Sequence, residues 1–443
     1  MNKYNPVYQI TDWYDTEKIE LYQYNKLIKL LNHAYDNIPY YRRIFDEYGV
    51  RLDAIKCTKD IESIPILTKK DIINNFSDLI DRRPKIYKKT FKINTSGSTG
   101  NPLTIFKDIN NKSIANSLYY RYLYNIGYRF RDKQISLWAR HKSGFIQEIK
   151  NILKRYLYNI IEFNTYCIND IIMDDIIKEI MKNNDIHIIG YSSAIAYLAK
   201  YCQHYIKSFP VKSVSITAES IPLSDKNIIK NVFGENVYEY YGCGEVNSLA
   251  FECSYHLGLH HAFEHSVLEL LDSENKINNI GNVTITDLDN YLMPLIRYQN
   301  GDIAIFSNQI CPCGRKSKLI YRIEGRVYDF IKGVNGNIAH GGFFDDVLLD
   351  SGISEKYRLK DIQIIQTKYD TLSIFYVSNN SISEKDKNIL SSLYQKFLGN
   401  MTIDYIHVEK LPIQYVGKKR FVISLSEYLK QKENGNFIII KAQ

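Results

Sequence analysis

Apolar residues in the first ninety positions recur at three- and four-residue spacing. The run YQYNKLIKLLNHAYDNIPYYRRIFDEYGV reads as amphipathic helix, broken at Pro39. From Phe91 the texture changes. Short β-rich runs (TFKIN, KQISLWA, DIHIIGYS, KSVSITAE, NVYEYYG) alternate with the helical patterns DIIMDDIIKEIMKNN and SAIAYLAKYCQHYI. Strand–helix–strand alternation predicts an α/β sheet with helices packed on its faces. After Cys253 strands dominate (HSVLELLD, GNVTITDL, DIAIFS). Past Asp329 a separate α+β pattern follows: KDIQIIQTKY, LSIFYVS, a helix DKNILSSLYQKFLG, then IDYIHVEKL. The expected organisation is a large α/β body over residues 1–328, with a β-rich part, and a small C-terminal α+β domain over 329–443.

Composition narrows the function classes. A chain of 443 residues has room for about three domains, or one large and one small. The 45% hydrophobic and 24% charged content is ordinary for a globular protein and argues against bulk disorder. Lys and Arg exceed Asp and Glu by 57 to 49, and the resulting +8 reads as small and spread along the chain. With no basic arm and no RNA- or DNA-binding motif, nucleic acid is not an expected partner. No apolar run approaches the roughly 18 residues of a spanning helix, and the N-terminus lacks the apolar core of a signal peptide. A cytoplasmic protein without a membrane span is expected. Seven cysteines, an odd count, make a disulfide framework unlikely, and Cys57, Cys167, Cys202 and Cys243 are simplest as small apolar residues.

Candidate chemistry begins at Thr95-Ser96-Gly97-Ser98-Thr99-Gly100, directly after the strand pattern KTFKIN. Small residues let backbone N–H groups approach a ligand, and the hydroxyls suit phosphate oxygens. It is not a Walker loop, since no Lys precedes a final hydroxyl. Four further segments follow in order. Tyr240-Tyr241-Gly242-Cys243-Gly244-Glu245 ends a β run in a glycine-flanked carboxylate. Next come NYLMPLIRYQNGD, with Arg297 and Asp302, and Glu324-Gly325-Arg326-Val327-Tyr328-Asp329. Last is Pro412 to Arg420, containing Gly417-Lys418-Lys419.

These five motifs, in this order and spacing, resemble the adenylate-forming (acyl/aryl-CoA synthetase) superfamily. The branch is the phenylacetate–coenzyme A ligase-like one, which includes proteins of capsular-polysaccharide clusters. NHAYDNIPYYRRIF and SIPILTKKDI are similar to the same branch, so the resemblance runs over nearly the whole chain. It implies an adenylate-forming body with a mobile C-terminal lid.

By that resemblance Thr95 to Gly100 would hold the ATP phosphates. Glu245 would hold Mg²⁺, Asp302 would contact the ribose, Arg326 the ribose or a phosphate, Gly242 the nucleotide, and Tyr241 would lie along the adenine or the acyl group. Lys418, or its neighbour Lys419, would bridge the reacting carboxylate and α-phosphate. Tyr328 and Asp329 mark the hinge, and Arg297 would brace the Asp302 loop. Trp138, His141, Tyr191, Ser192, Ser193, Glu219 and Tyr240 lie near positions that line the acyl pocket in relatives. The sequence departs from the family pattern in Asn101-Pro102-Leu103, where many members place a Lys. It departs again in Gly244, where many place a hydroxyl.

Cys311-Pro312-Cys313-Gly314-Arg315 is a CxC turn, and Cys253, His256, His260, His261 and His265 crowd the stretch before it. Thiolates and imidazoles in this mix suit tetrahedral zinc. The branch carries a similar Cys…His…CxCGR pattern, which implies a structural ion on Cys253, His260, Cys311 and Cys313, with His256 or His261 as substitutes for His260. The expected function is ATP-dependent activation of a carboxylic acid as an acyl-adenylate, with pyrophosphate released. Acyl transfer to coenzyme A or another thiol would follow, a carrier-protein thiol included. Transfer to an amine of a sugar or amino acid is the alternative, and a non-catalytic, zinc-stabilised nucleotide-binding protein is the rival outside enzymes.

Overall fold

A computed structural model describes residues 9–83, 87, 89–95, 103–138, 145–165, 167–168, 170–182, 185–203, 209, 211–217, 221, 223–272, 274–324, 330–359, 361–413, 422–433, 435 and 437–441. The protein is mixed α/β and divides into two compact units. The first comprises 1–95, 103–129 and 238–324, and the second 96–102, 130–237 and 325–443.

In the first unit the helical N-terminus forms as its periodicity predicts. Helix Thr16–Asn37 starts at Asp15, whose side chain accepts from the Lys18 backbone N–H, and buries Ile19, Leu27, Leu30, Leu31 and Ala34 along one stripe. Pro39 opens the next helix, Pro39–Glu47, at a position where its missing N–H costs nothing. Helix Lys69–Asn74 carries a reciprocal Thr68/Asp71 capping box. Strands Thr90–Thr95 and Leu103–Asp108 pair antiparallel, and Asp108 then caps helix Ile109–Asn125 through the Asn111 N–H.

The β-rich part of this unit is antiparallel. From one edge inward run strands Ser266–Leu271, Ile280–Asp287, Tyr298–Ser307, Leu319–Glu324, Leu259–His261 and Ala250–Glu252, followed by Val237–Tyr241. Its inner faces and the N-terminal helices share one core, including Leu27, Leu30, Tyr41, Phe45, Leu268, Val283, Ile285 and Tyr298.

The second unit holds four parallel strands in the order Ile160–Asn164, Lys133–Trp138, Ile186–Tyr191, Ser213–Thr217. Ile186 to Gly190 are all buried, as expected of a parallel strand covered on both faces. Helices Asp170–Met181, Ser192–Gln203 and Leu223–Phe233 connect these strands and supply Met173, Ile195, Leu198 and Ile229 to their core. The C-terminal residues of the unit build a five-stranded sheet, ordered Val422–Ile423, Asp361–Lys368, Thr371–Val377, Thr402–Lys410, Ile440–Lys441. Helices Gly341–Asp350 and Glu384–Leu398 share its core through Phe344, Leu390 and Tyr394.

One side chain ties the N-terminal helical region to the β-rich part. Arg297 is buried; its guanidinium pairs with Glu269 at 2.9 Å and donates to the carbonyls of Glu62 and Ile64 at 2.9 and 2.6 Å. Backbone bonds Leu67 N–H to Arg297 O and Gln299 N–H to Leu67 O, both 3.0 Å, close the junction. Burial pushes the Glu269 carboxyl upward, against the opposing pull of Arg297. Arg297→Met would leave a buried carboxylate unpaired and two carbonyls without donors. It should destabilise the protein by about 3–5 kcal/mol in chemical denaturation, and adding Glu269→Leu should recover a large part of that loss. An unchanged midpoint for the single variant would refute this account of the junction.

Candidate active site and metal centre

Two carboxylates predicted to serve a nucleotide lie in the first unit, each fixed by a tyrosine. The Tyr241 hydroxyl donates to Asp302 Oδ2 at 2.8 Å, and Asn300 Nδ2 donates to the same oxygen at 2.8 Å and to the Tyr241 oxygen at 2.9 Å. The Asn300 side chain also accepts the Asp302 backbone N–H, a local turn that aims the carboxylate. Beside it on the same strand, the Tyr298 hydroxyl donates to Glu245 Oε1 at 3.2 Å. Burial, then the Asp302 charge, pushes the Tyr241 phenol well above its ordinary value, so it stays a donor.

The turn between Tyr241 and Glu245 is held as tightly. A Cβ on Gly242 would meet the Tyr240 hydroxyl oxygen at 2.9 Å and the Ser248 backbone nitrogen at 3.0 Å, so a side chain there would displace the turn. Burial, then the Glu245 charge, raises the Cys243 thiol well above its usual value, consistent with an inert packing role.

The sequence reading missed Lys107. It lies on strand Leu103–Asp108, in phase with buried Leu103 and Ile105, and is itself 1% exposed. Its ammonium has no hydrogen-bond partner among the described residues and lies in the field of Asp287, Cys243 and Glu245. Burial lowers its pKa, and Asp287 opposes that shift. The signal was available: period-two alternation along LTIFK places the lysine on the inward face.

Other expected site residues fall in different places. Tyr240 packs among Tyr119, Tyr122 and Phe251, with ring centroids 5.3–5.9 Å away. In the second unit, Trp138 and Tyr191 meet edge to face at 5.2 Å, and Ser192 donates to the Thr217 carbonyl at 3.3 Å. Thr95 ends its strand opposite Leu103. Ser96, Gly97, Ser98, Thr99, Gly100, His141, Glu219, Arg326, Tyr328, Asp329, Lys418 and Lys419 lie outside the described residues. Arg297 is placed at the junction described above.

The ligand atoms of Cys253, His260, Cys311 and Cys313 lie within 4.8 Å of one another. The Cys253 and Cys311 sulfurs are 3.5 Å apart, and Cys313 Sγ is 3.3 Å from His260 Nε2. Bonds of roughly 2.3 Å to sulfur and 2.0 Å to nitrogen in a tetrahedron separate donors by about 3.5–3.8 Å, so this set fits zinc. The other histidines are engaged elsewhere: His256 with Glu252, His261 with Ser266 and His265 with Asp289. A Cβ on Gly258 would lie 2.4 Å from the Ile320 carbonyl, and this close approach lets His260 pair beside Leu319.

The thiols are tuned unequally. Burial pushes Cys253 up to about 12. Burial also opposes ionisation of Cys313, but hydrogen bonds from Arg315 outweigh it and lower that thiol. Burial, then the Arg315 charge, brings His260 down to about 4, leaving the neutral imidazole a metal requires. Arg315 is itself anchored by Asp12 at 2.7 Å and stacks over Trp13, so the N-terminal segment braces the CxC turn.

Comparison with known proteins follows the same lines. A family model described as the CapK C-terminal domain matches residues 339–425. A phenylacetate-coenzyme A ligase of Thermus thermophilus is 23% identical over 360 residues, covering 72% of this chain and 73% of that protein. The phenylacetate-coenzyme A ligase of Escherichia coli is 32% identical over a shorter stretch, 20% of each chain. Among solved structures, 2-hydroxyisobutyryl-CoA ligase in complex with 2-HIB-AMP and CoA superposes with a TM-score of 0.64. The match is 19% identical and covers 96% of this chain and 94% of that one. Over most of its length the chain is similar to phenylacetate-coenzyme A ligases, and it shares the fold of 2-hydroxyisobutyryl-CoA ligase.

The departures noted in the sequence acquire a place in the structure. Where many members put a lysine just after the glycine-rich loop, this chain has Asn101, but Lys107 stands on the strand that follows. The Gly244 departure lies in the Gly242–Glu245 turn, whose carboxylate is steadied from the neighbouring strand by Tyr298.

The full-length protein should carry about one zinc per chain by elemental analysis. Cys311→Ser should lose the ion together with several degrees of melting temperature, because metal binding contributes to folding. Metal-free protein of full stability, whose melting does not respond to added zinc, would overturn the assignment.

Proposed function

We propose that this ligase activates a carboxylic acid with ATP, forming an acyl-adenylate and pyrophosphate, and then passes the acyl group to coenzyme A. The observation that carries the reading is the pair of tyrosine-held carboxylates, Tyr241–Asp302 and Tyr298–Glu245, in one unit. Asp302 is oriented to accept from the ribose hydroxyls, as a carboxylate with one oxygen fixed by two donors can do with the other. Glu245 is the residue that would hold Mg²⁺, whose charge would offset that of the phosphates when bound. Lys418 would bring an ammonium to the substrate carboxylate and the α-phosphate, where two anions must approach. The substrate carboxylate oxygen bonds to the α-phosphorus as the bond to pyrophosphate breaks. The thiol sulfur then attacks the acyl carbon, and AMP leaves. The Cys₃His group is assigned a structural role, since its four donors leave a tetrahedral ion no open position.

Coenzyme A as acceptor is supported by the CoA-bound state of 2-hydroxyisobutyryl-CoA ligase and by the phenylacetate-coenzyme A ligases. Trp138 against Tyr191 offers an aromatic wall in the second unit, which fits an aryl or compact acyl group.

ATP–pyrophosphate exchange across aryl, short-chain and amino acids tests the reading, and no exchange with any acid despite ATP binding would sink it. Glu245→Gln should cut exchange about a hundredfold and raise the Mg²⁺ requirement, because one ligand charge is lost while the shape is kept. Asp302→Asn should raise KM for ATP and weaken discrimination against 2′-deoxy-ATP. Wild-type kinetics in both variants would show the nucleotide assignment to be wrong.

A lysine used only for adenylation separates the two half-reactions. Lys418→Ala should lose about a hundred- to thousandfold in exchange, while transfer from prepared acyl-AMP to coenzyme A stays within about tenfold of wild type. Equal loss of both steps would point to a static site. Lys419→Ala, the control, should leave both nearly intact.

A further inference from the structure

Helix Phe145–Tyr158, in the second unit, is amphipathic in the wrong sense for a globular protein. Ile149, Ile152, Leu153 and Tyr156 fall within about one third of the helix circumference, with Leu157 beside them. All five are exposed, Ile152 by 67% and Tyr156 by 80%. The polar face turns inward instead: Lys154 pairs with Glu162 of the neighbouring strand Ile160–Asn164 at 2.6 Å, and Arg155 lies 3.7 Å from Glu179. Phe130, 70% exposed, packs edge to face on Tyr158 at 6.2 Å and extends the apolar surface past the helix end.

A helix that spends its polar face on the protein and leaves its apolar face in water is presenting that face to something. The charge around it says what. Residues 129–158 contain eight Lys or Arg against two Asp or Glu, a net +6 of the chain's formal +8. Arg129 and Arg131, which flank Phe130, are exposed. We propose that this surface docks the ligase peripherally on an anionic lipid membrane. Ile149, Ile152, Leu153, Tyr156 and Leu157 would enter the headgroup–acyl boundary while Arg129 and Arg131 meet the lipid phosphates. At fourteen residues the helix is too short to span and lies in the interface. Tyr156, Tyr158 and Phe130 supply the aromatic rim that interfaces favour. A second copy of this chain fits less well, because a two-fold contact would bring two strongly basic surfaces together.

The test is co-sedimentation of the full-length protein with vesicles of phosphatidylcholine alone or with about one third phosphatidylglycerol. Wild type should pellet with the anionic vesicles, and binding should fall severalfold between about 50 and 500 mM salt. Ile152→Glu with Tyr156→Glu should reduce partitioning at least tenfold, and Arg129→Gln with Arg131→Gln severalfold. Both pairs change exposed positions outside the catalytic machinery, so melting temperature and exchange in solution should not move. The proposal is overturned if wild type ignores anionic vesicles, if it binds neutral ones equally, or if the Glu pair binds undiminished. A dimer in light scattering that the Glu pair converts to monomer would overturn it too, giving the face to a second copy.

Discussion

The interior position of Arg297 is the constraint on which the first unit depends. One guanidinium answers the Glu269 carboxylate and two carbonyls at the end of the N-terminal helical region. Arg297 adopts a left-handed backbone conformation, φ 52°, that costs a non-glycine residue about 1–3 kcal/mol and persists only where its surroundings over-determine it. A planar fork can pair with both Glu269 oxygens and still serve two carbonyls, four bonds that the three donors of a lysine cannot match. The residue begins the stretch that carries Tyr298, Asn300 and Asp302, so the geometry of the Asp302 carboxylate is inherited from a packing junction some residues away.

The same economy appears at the zinc-type cluster. Its four donors come from strand ends and a turn that have little apolar bulk of their own, and Arg315 with Asp12 closes them against the N-terminal segment. Around the Arg121–Glu264 pair, also buried, Thr11 and Asp12 add further polar contacts. The N-terminal stretch is thus attached by charge and hydrogen bonding at one end and by the Leu27 to Phe45 apolar stripe at the other. Among the described residues, the Lys107 ammonium is a buried charge with no hydrogen-bond partner. An ammonium buried without an acceptor costs free energy, and it stands close to the turn that presents Glu245.

The outward apolar face of helix Phe145–Tyr158 belongs to a different logic. Elsewhere in the second unit helices bury their apolar stripes against strands, as Ser192–Gln203 does through Ala194, Ile195, Leu198 and Cys202. There the hydrophobic effect is satisfied within the chain. In helix 145–158 a salt bridge to Glu162 takes the inward position, which leaves the apolar work to be completed by a surface outside the molecule.

Much of the fold was legible in the sequence because periodicity is local. The 3.6 repeat of Leu27, Leu30, Leu31 and Ala34, the break at Pro39, and the buried run of Ile186 to Gly190 each follow from which residues must leave water. The resemblance was legible because five motifs keep their order, and it implied the set Cys253, His260, Cys311 and Cys313, with His256 or His261 left open in place of His260. Tertiary structure decided four further things. It separated His260 from its neighbours, since His256, His261 and His265 find carboxylate or hydroxyl partners that lie close only after folding. It gave Arg297 three acceptors distant in sequence, and it placed Lys107 in a buried pocket of charge. It also turned helix 145–158 apolar side out. Periodicity specifies that a helix has an apolar face, but which way that face points depends on what the rest of the chain leaves uncovered, and that is a property of the assembled fold.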